Sequence, residues 1–342
     1  MKIAICSGGT GGHMFPATAL LEELQKRGHQ VRMITDERGS VFCKNVENKV
    51  ILETIRFSRG KNFAAIASMF RVFLEVSKVW KKDTPDIIIG FGGLFTVIPS
   101  LVGKVFGAKL IIYEQNAVIG KANRLLSWIA NVKLCTLFQK ESWKIVPPPV
   151  RKEFLDKKKS AYICDFKIKI AVIGGSQGAA SFSDIVPCAL SMLEDKQKEN
   201  IEIIQQVSLE KIFILQKKYD EIGIKASLET FIHNIAEEML SSQLIICRSG
   251  ASTLAELSAV GCPAILIPYP NASENHQLLN AMHYQDKGKA WIVTESSDIE
   301  KKLCAIIANI INDRSLLKKR VKNIMSNNKE FGEVFTAVLA TI

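Results

Sequence analysis

The hydrophobic pattern of the chain begins the same way twice. Lys2-Ile3-Ala4-Ile5-Cys6 is a short apolar run that breaks into Ser7-Gly8-Gly9-Thr10-Gly11-Gly12-His13. Lys169-Ile170-Ala171-Val172-Ile173 breaks into Gly174-Gly175-Ser176-Gln177-Gly178-Ala179-Ala180. Each loop then gives way to helical spacing. This is the first strand, phosphate-type loop and first helix of a doubly wound α/β domain. Two such starts, about 170 residues apart, predict two Rossmann-like domains with a cleft between them.

The rest of the pattern fills in both halves. Ala17, Leu20, Leu21 and Leu24 form one helical stripe, with Pro16 read as a first-turn residue and Gly28 as the stop. His29 to Thr35 reads as a second strand, followed by Asp36. Asp86-Ile87-Ile88-Ile89-Gly90 opens into Gly92-Gly93, and Lys109 to Tyr113 ends in Glu114-Gln115-Asn116. Val146-Pro147-Pro148-Pro149-Val150-Arg151 stops regular structure, and the charged stretch Lys152 to Lys159 follows, so the domains are expected at 1–150 and 151–342. In the second half, Ile168 to Ile173, Leu244 to Cys247 and Ala264 to Pro268 read as strands. Val186, Ala189, Leu190 and Leu193 share a helix face. Asn271 to Gln277 is a polar loop opening a helix that ends near Gly288. The last fifteen residues read as an apolar helix with the option of packing back on the first domain.

Composition narrows the class. Hydrophobic residues make up 47% and charged residues 23% of 342, the balance of a globular protein with large cores. A net charge of +11 suits nucleic acid, anionic lipid or phosphorylated substrates, and charge alone does not choose among them. The eight cysteines form no Cys-x-x-Cys pair, which points to reduced, buried thiols and to no zinc site. The first residues run straight into a strand, so no signal peptide is expected, and no apolar stretch is long enough to span a membrane. Arg56 to Lys82 mixes Phe57, Phe63, Ile66, Met69, Phe70, Val72, Phe73 and Trp80 with basic residues. It reads either as a core helix with a solvated basic face or as an interfacial segment for anionic lipid.

The candidate chemistry lies in the loops. Gly8 to Gly12 offers backbone N–H groups at a helix N-terminus, suited to phosphate, with His13 at the junction as a candidate general base. The loop is neither Gly-x-Gly-x-x-Gly nor a Walker loop, yet Asp36 keeps an NAD reading open. Arg248 to Thr253 is another strand-to-helix turn, with Ser249, Ser252 and Thr253 hydroxyls and with Glu256 able to accept from two ribose hydroxyls. Asn275, His276, Gln277 and Asn280 form a polar cluster able to read sugar hydroxyls and an acetamido group.

In order along the chain, Gly8-Gly9-Thr10-Gly11-Gly12-His13, Arg59-Gly60-Lys61, Gly90-Phe91-Gly92-Gly93, Glu114-Gln115-Asn116, Pro149-Val150-Arg151, Gly174 to Ala179, Cys247 to Ala251, Glu256 and His276-Gln277 with Asn280-Ala281 resemble the bacterial MurG family. Its members are UDP-N-acetylglucosamine–N-acetylmuramyl-(pentapeptide) pyrophosphoryl-undecaprenol N-acetylglucosamine transferases. The resemblance implies a GT-B fold and inverting transfer of N-acetylglucosamine from UDP-GlcNAc to the muramic acid 4-hydroxyl of lipid I, giving lipid II and UDP. It implies donor contacts from Thr10, Gly11, Gly12, Asn116, Arg151, Ser176, Ile232, Ala251, Ser252, Thr253, Leu254, Ala255, Glu256 and Gln277, with His13 as the catalytic base. It implies no metal and no cofactor, and a peripheral place on the cytoplasmic face of the bacterial inner membrane. The partners it implies are UDP-GlcNAc, lipid I, anionic lipid and enzymes of the cell-wall machinery, and no nucleic acid.

The chain departs from the family pattern at Leu94 to Ile98, on the acceptor side; at Pro147-Pro148; at Gln205 to Ser208; and at Asn271 to Glu274. The rival readings are a GT-B transferase with another lipid acceptor, an NAD-dependent oxidoreductase, and a non-catalytic scaffold binding UDP-sugar and membrane.

Overall fold

A computed structural model describes residues 1–54, 62–155, 167–326, 335 and 339, except the side chains of 62–65 and 175–179. The chain divides into two compact units, Met1–Arg151 with Lys329–Ile342, and Lys152–Asn328.

The first unit carries β1 (Lys2–Cys6), β2 (Gln30–Asp36), β3 (Lys49–Leu52), β4 (Ile87–Gly90), β5 (Lys109–Glu114), β6 (Val132–Cys135) and β7 (Lys144–Ile145). They form one parallel sheet in the order β3-β2-β1-β4-β5-β6-β7. The second unit carries β8 (Ile168–Ile173), β9 (Ile201–Gln206), β10 (Lys225–Glu229), β11 (Leu244–Cys247), β12 (Ala264–Leu266) and β13 (Ala290–Ile292). These are parallel in the order β10-β9-β8-β11-β12-β13. Counted within each unit, both sheets share the order 3-2-1-4-5-6, the doubly wound dinucleotide-fold order, and the first adds β7 as a seventh strand at its edge. Two Rossmann-like domains are therefore present.

The central strands form because both their faces can be buried, so they read as nearly unbroken apolar runs. Side chains alternate between faces. Ile3, Ile5, Ile87, Ile89 and Ile111 meet Met14, Ala17, Leu20, Leu21 and Leu24 of the helix Gly11–Lys26, together with Phe335 and Leu339. Ala4, Cys6, Ile88, Leu110 and Ile112 meet Val72, Val76 and Trp80 of the helix Asn62–Lys82 and Val102 of the helix Val97–Val105. In the second unit Ile168, Ile170 and Val172 pack on Phe182, Val186, Ala189 and Leu190 of the helix Gly175–Ser191.

The helix Asn62–Lys82 has a core-packed face and exposed apolar residues. Val72, Val76 and Trp80 are buried, whereas Ile66, Phe70, Phe73 and Leu74 stay exposed. Arg56, Phe57 and Arg59-Gly60-Lys61 lie outside the described residues, as does the Phe63 side chain. None of the seven described cysteines is in a disulfide; Cys6, Cys43, Cys135, Cys247 and Cys262 are buried, Cys304 is half-buried and Cys188 is exposed. Among the described residues no helix is long and apolar enough to cross a membrane.

Candidate active site

In open α/β sheets ligands bind outside the carboxyl ends of the strands, where the strand order reverses. In the first unit that point lies between β1 and β4, whose ends pair Cys6 with Gly90. The loops leaving both strands are built on glycine: Gly9, Gly92 and Gly93 have φ of +87°, +83° and +80°. Gly8 must stay bare for a different reason, since a β-carbon there would stand 2.9 Å from Phe95.

The helix after the first loop begins at Gly11, earlier than Pro16, which lies inside it. Thr10 is the N-cap, and Gly11, Gly12 and His13 form the first turn, with the His13 N–H donating to the Thr10 carbonyl at 3.1 Å. The His13 ring rests against Gly92: a β-carbon on Gly92 would stand 3.6 Å from His13 Nε2 and 3.3 Å from Asn123 Nδ2.

Glu114, the last residue of β5, is nearly buried and organises the neighbouring loop. Its Oε1 accepts the Asn116 backbone N–H and Asn116 Nδ2, each at 3.1 Å. Its Oε2 accepts the Gly120 N–H at 3.0 Å and Asn123 Nδ2 at 2.9 Å. Asn116 is thereby oriented, and Gln115 Nε2 donates to the Gly12 carbonyl at 2.7 Å, joining that loop to the glycine turn. The Arg151 guanidinium lies 4.6 Å from the Phe15 ring centroid, on the same helix as His13. The first unit thus gathers Thr10, Gly11, Gly12, His13, Asn116 and Arg151.

Asp36 does not serve an NAD ribose. It is fully buried at the end of β2, and its Oδ1 accepts the N–H groups of Gly9 and Gly39, each at 2.9 Å. Its Oδ2 accepts from Arg38 Nε and Nη2, each at 3.1 Å. The carboxylate holds the glycine loop instead of facing a ligand.

In the second unit the corresponding point lies between β8 and β11, which pair Ile173 with Cys247. The helix Ala251–Val260 starts there behind Gly250, which offers no side-chain cap. Ala251, Ser252 and Thr253 form its first, half-exposed turn; Leu254, Ala255 and Glu256 are buried, Glu256 at 8% exposure. A carboxylate that far from water and that close to a helix start is suited to accepting hydroxyl hydrogen bonds.

Three polar residues of this region turn out to be internal braces. Ser249 Oγ donates to the Gln277 carbonyl at 2.7 Å, and Asn280 Nδ2 donates to the Ser249 carbonyl at 3.1 Å. Both residues are fully buried, so neither reads a sugar. Arg248 stacks on Phe182 and Tyr269, donates to the Ile267 and Pro268 carbonyls and to Ser181 Oγ, and pairs with Glu295 at 2.7 Å. Gln277 Oε1 accepts the Tyr269 N–H at 3.0 Å, which turns its NH2 outward as the donor end. His276 Nδ1 is engaged with the Ser273 carbonyl at 2.7 Å.

The braces therefore bring Gln277 to the start of the helix that carries Ala251 to Glu256. Ile232 is buried in the loop after the edge strand β10. The Ser176 side chain lies outside the described residues. Among the described residues no cluster of three or more His, Cys, Asp or Glu side chains is placed to hold a metal. The brace roles of Glu114, Gln115, Asn123 and Arg248 have no local sequence signal except Pro16, a proline inside a helical stripe.

Comparison with known proteins agrees with this architecture. Residues 3–134 match the glycosyltransferase family 28 N-terminal domain, and residues 169–334 match the family 28 C-terminal domain. A protein of Paramagnetospirillum magneticum named UDP-N-acetylglucosamine–N-acetylmuramyl-(pentapeptide) pyrophosphoryl-undecaprenol N-acetylglucosamine transferase is 36% identical, covering 89% of this chain and 86% of its own. A protein of the same name from Rickettsia canadensis is 34% identical, covering 96% of both chains. The crystal structure of Acinetobacter baumannii MurG superposes with a TM-score of 0.84 at 25% identity, covering 100% of this chain and 99% of that one. The chain belongs to the MurG family of UDP-N-acetylglucosamine–N-acetylmuramyl-(pentapeptide) pyrophosphoryl-undecaprenol N-acetylglucosamine transferases, built from the two glycosyltransferase family 28 domains.

Proposed function

We propose that the protein transfers N-acetylglucosamine from UDP-GlcNAc to the muramic acid 4-hydroxyl of lipid I (undecaprenyl-pyrophosphoryl-MurNAc-pentapeptide), giving lipid II and UDP with inversion at the anomeric carbon. The observation that carries this reading is the 36% identity, over 89% of the chain, to a transferase named for this reaction.

The geometry supports a division of labour. In this reading His13 takes the proton from the acceptor hydroxyl as its oxygen attacks the anomeric carbon and the bond to UDP breaks. UDP leaves as an anion. The N–H groups at the start of the helix Ala251–Val260, with those of Gly11 and Gly12 and the Arg151 cation, supply the opposing charge. Glu256 accepts from the ribose hydroxyls, Gln277 donates to the sugar, and Thr10, Asn116, Ser176 and Ile232 complete the donor contacts.

The acceptor carries a lipid, and the first unit offers a surface for one. Ile66, Phe70, Phe73 and Leu74, then Leu101 and Val105, then Leu125 are left exposed on the helices Asn62–Lys82, Val97–Val105 and Lys121–Leu126, each packed on the next, with Trp128 in the turn just past the last. Trp128 is 88% exposed. Arg71, Lys78, Lys81 and Lys82 accompany them. Aromatic side chains among basic residues suit the surface of an anionic membrane, here its cytoplasmic face.

A direct test of the base assignment is His13→Ala. Loss of turnover with UDP-GlcNAc affinity unchanged supports the role, and near-normal turnover removes it. Sedimentation with anionic and with zwitterionic vesicles tests the surface: Phe70→Ser/Trp128→Ser should release the protein from anionic vesicles, and unchanged binding would contradict the assignment.

A further inference from the structure

We propose that Gln115 is a positioning residue for His13: its side-chain amide replaces the backbone N–H that Pro16 lacks, and so sets the turn that carries the base. In an α-helix the N–H of residue 16 bonds to the carbonyl of residue 12. Proline has no N–H, so the helix Gly11–Lys26 cannot make that bond itself. The donor comes instead from a residue 103 positions away, where Gln115 Nε2 meets the Gly12 carbonyl at 2.7 Å.

Gln115 is well placed to hold that carbonyl firmly. It is 6% exposed and follows directly on β5. Its neighbour Glu114 fixes the backbone that follows, accepting from Asn116 and from Gly120. The glycine turn is thus tied to the sheet by a neutral hydrogen bond in a largely dry place. Gly12 immediately precedes His13, so a tilt of the Gly12 peptide moves the imidazole. Reaction rates fall steeply when a catalytic group is misplaced by as little as about 1 Å. The inference rests on the reading of His13 as the base.

The arrangement makes a specific demand. Proline at 16 and glutamine at 115 are complementary, so alanine at 16, which restores the helix's own N–H, should make the glutamine dispensable. The experiment compares wild type, Gln115→Leu, Pro16→Ala and Pro16→Ala/Gln115→Leu. It reads kcat and KM for UDP-GlcNAc with a soluble lipid I analogue, and the His13 imidazole resonance in histidine-labelled protein, which has five histidines to assign.

Gln115→Leu should lower kcat about tenfold, leave KM within about twofold and shift the His13 resonance. Pro16→Ala should stay close to wild type, and the double variant should recover both kcat and the resonance. A residue that only fills space would not be rescued by a backbone N–H elsewhere. Unchanged kcat and resonance in Gln115→Leu, or a double variant as impaired as Gln115→Leu, would overturn the proposal. If Gln115→Leu does not fold, recovery of folding in the double variant supports it, and a double variant equally unfolded overturns it. If wild type forms no product, the transferase reading fails, and the His13 resonance alone decides the positioning claim.

Discussion

The His13 imidazole rests on Gly92: a β-carbon added to Gly92 would stand 3.6 Å from His13 Nε2. The same β-carbon would come within 3.3 Å of Asn123 Nδ2, which is held by the Tyr113 carbonyl and Glu114 Oε2. Gly92 also has φ of +83°, a backbone conformation that costs other residues roughly 1–2 kcal/mol. Gly92→Ala should therefore disturb His13 and Asn123 together. The expected result is a drop in kcat of about 10- to 100-fold with UDP-GlcNAc affinity retained; a variant with wild-type kcat would show that this packing is unimportant.

Glu256 is a nearly buried carboxylate beside a helix start in the second unit. If it accepts from the ribose, Glu256→Gln should raise KM for UDP-GlcNAc by about 10- to 100-fold, the worth of a hydrogen bond to a charged group. The same substitution should hardly affect the 2′,3′-dideoxy donor. Equal losses with both donors would take Glu256 away from the ribose.

Arg248 is a brace, and its removal should be read as stability. It joins the helix Gly175–Ser191, the loop after β12 and Glu295 through side-chain contacts that leave it 9% exposed. Arg248→Met should cost the second unit roughly 3 kcal/mol, because it strands the partners of a desolvated cation. Denaturant unfolding measures this, and a change below about 1 kcal/mol would contradict the bracing role.

Burial, with Lys287 and Lys289 nearby and only Asp286 opposing them, pushes the His283 pKa down to about 4 from 6.5. As pH falls from 6.5 toward 4, the unfolded chain takes up a proton that the folded chain refuses. The folded state then loses stability, and stability from this group is complete only above pH 6.5. His283→Gln should flatten the acid side of the stability profile in that window. An unaltered profile would show that other groups govern it.

How much of this was legible in the sequence follows from burial. β1, β4, β5, β8, β11 and β12 are buried on both faces, so their apolar runs mark them. The edge strands β3, β7 and β10 leave side chains in water, and β7 and β10 carry no such run; β9 is interior, but Glu202, Gln205 and Gln206 break its pattern. The glycine loops announced a strand-to-helix turn in each unit, and in the first unit positive φ at Gly9, Gly92 and Gly93 and close packing at Gly8 demand glycine. What the sequence could not disclose was the direction of each polar side chain. Asp36, Ser249 and Asn280 turn inward to hold loops, and that choice depends on partners 27 to 31 residues away. Pro16 was visible, but its complement Gln115 is supplied by the sheet.

The most direct test of the central claim is turnover of UDP-GlcNAc with a soluble lipid I analogue in EDTA, following UDP and disaccharide together, with diacylglycerol as the competing acceptor. The account predicts disaccharide formed in step with UDP and no glycolipid, since backbone N–H groups and Arg151 are assigned the charge of the leaving UDP. UDP-GlcNAc binding without disaccharide, or transfer to diacylglycerol in its place, would contradict it and direct attention to the acceptor-side segment Leu94 to Ile98.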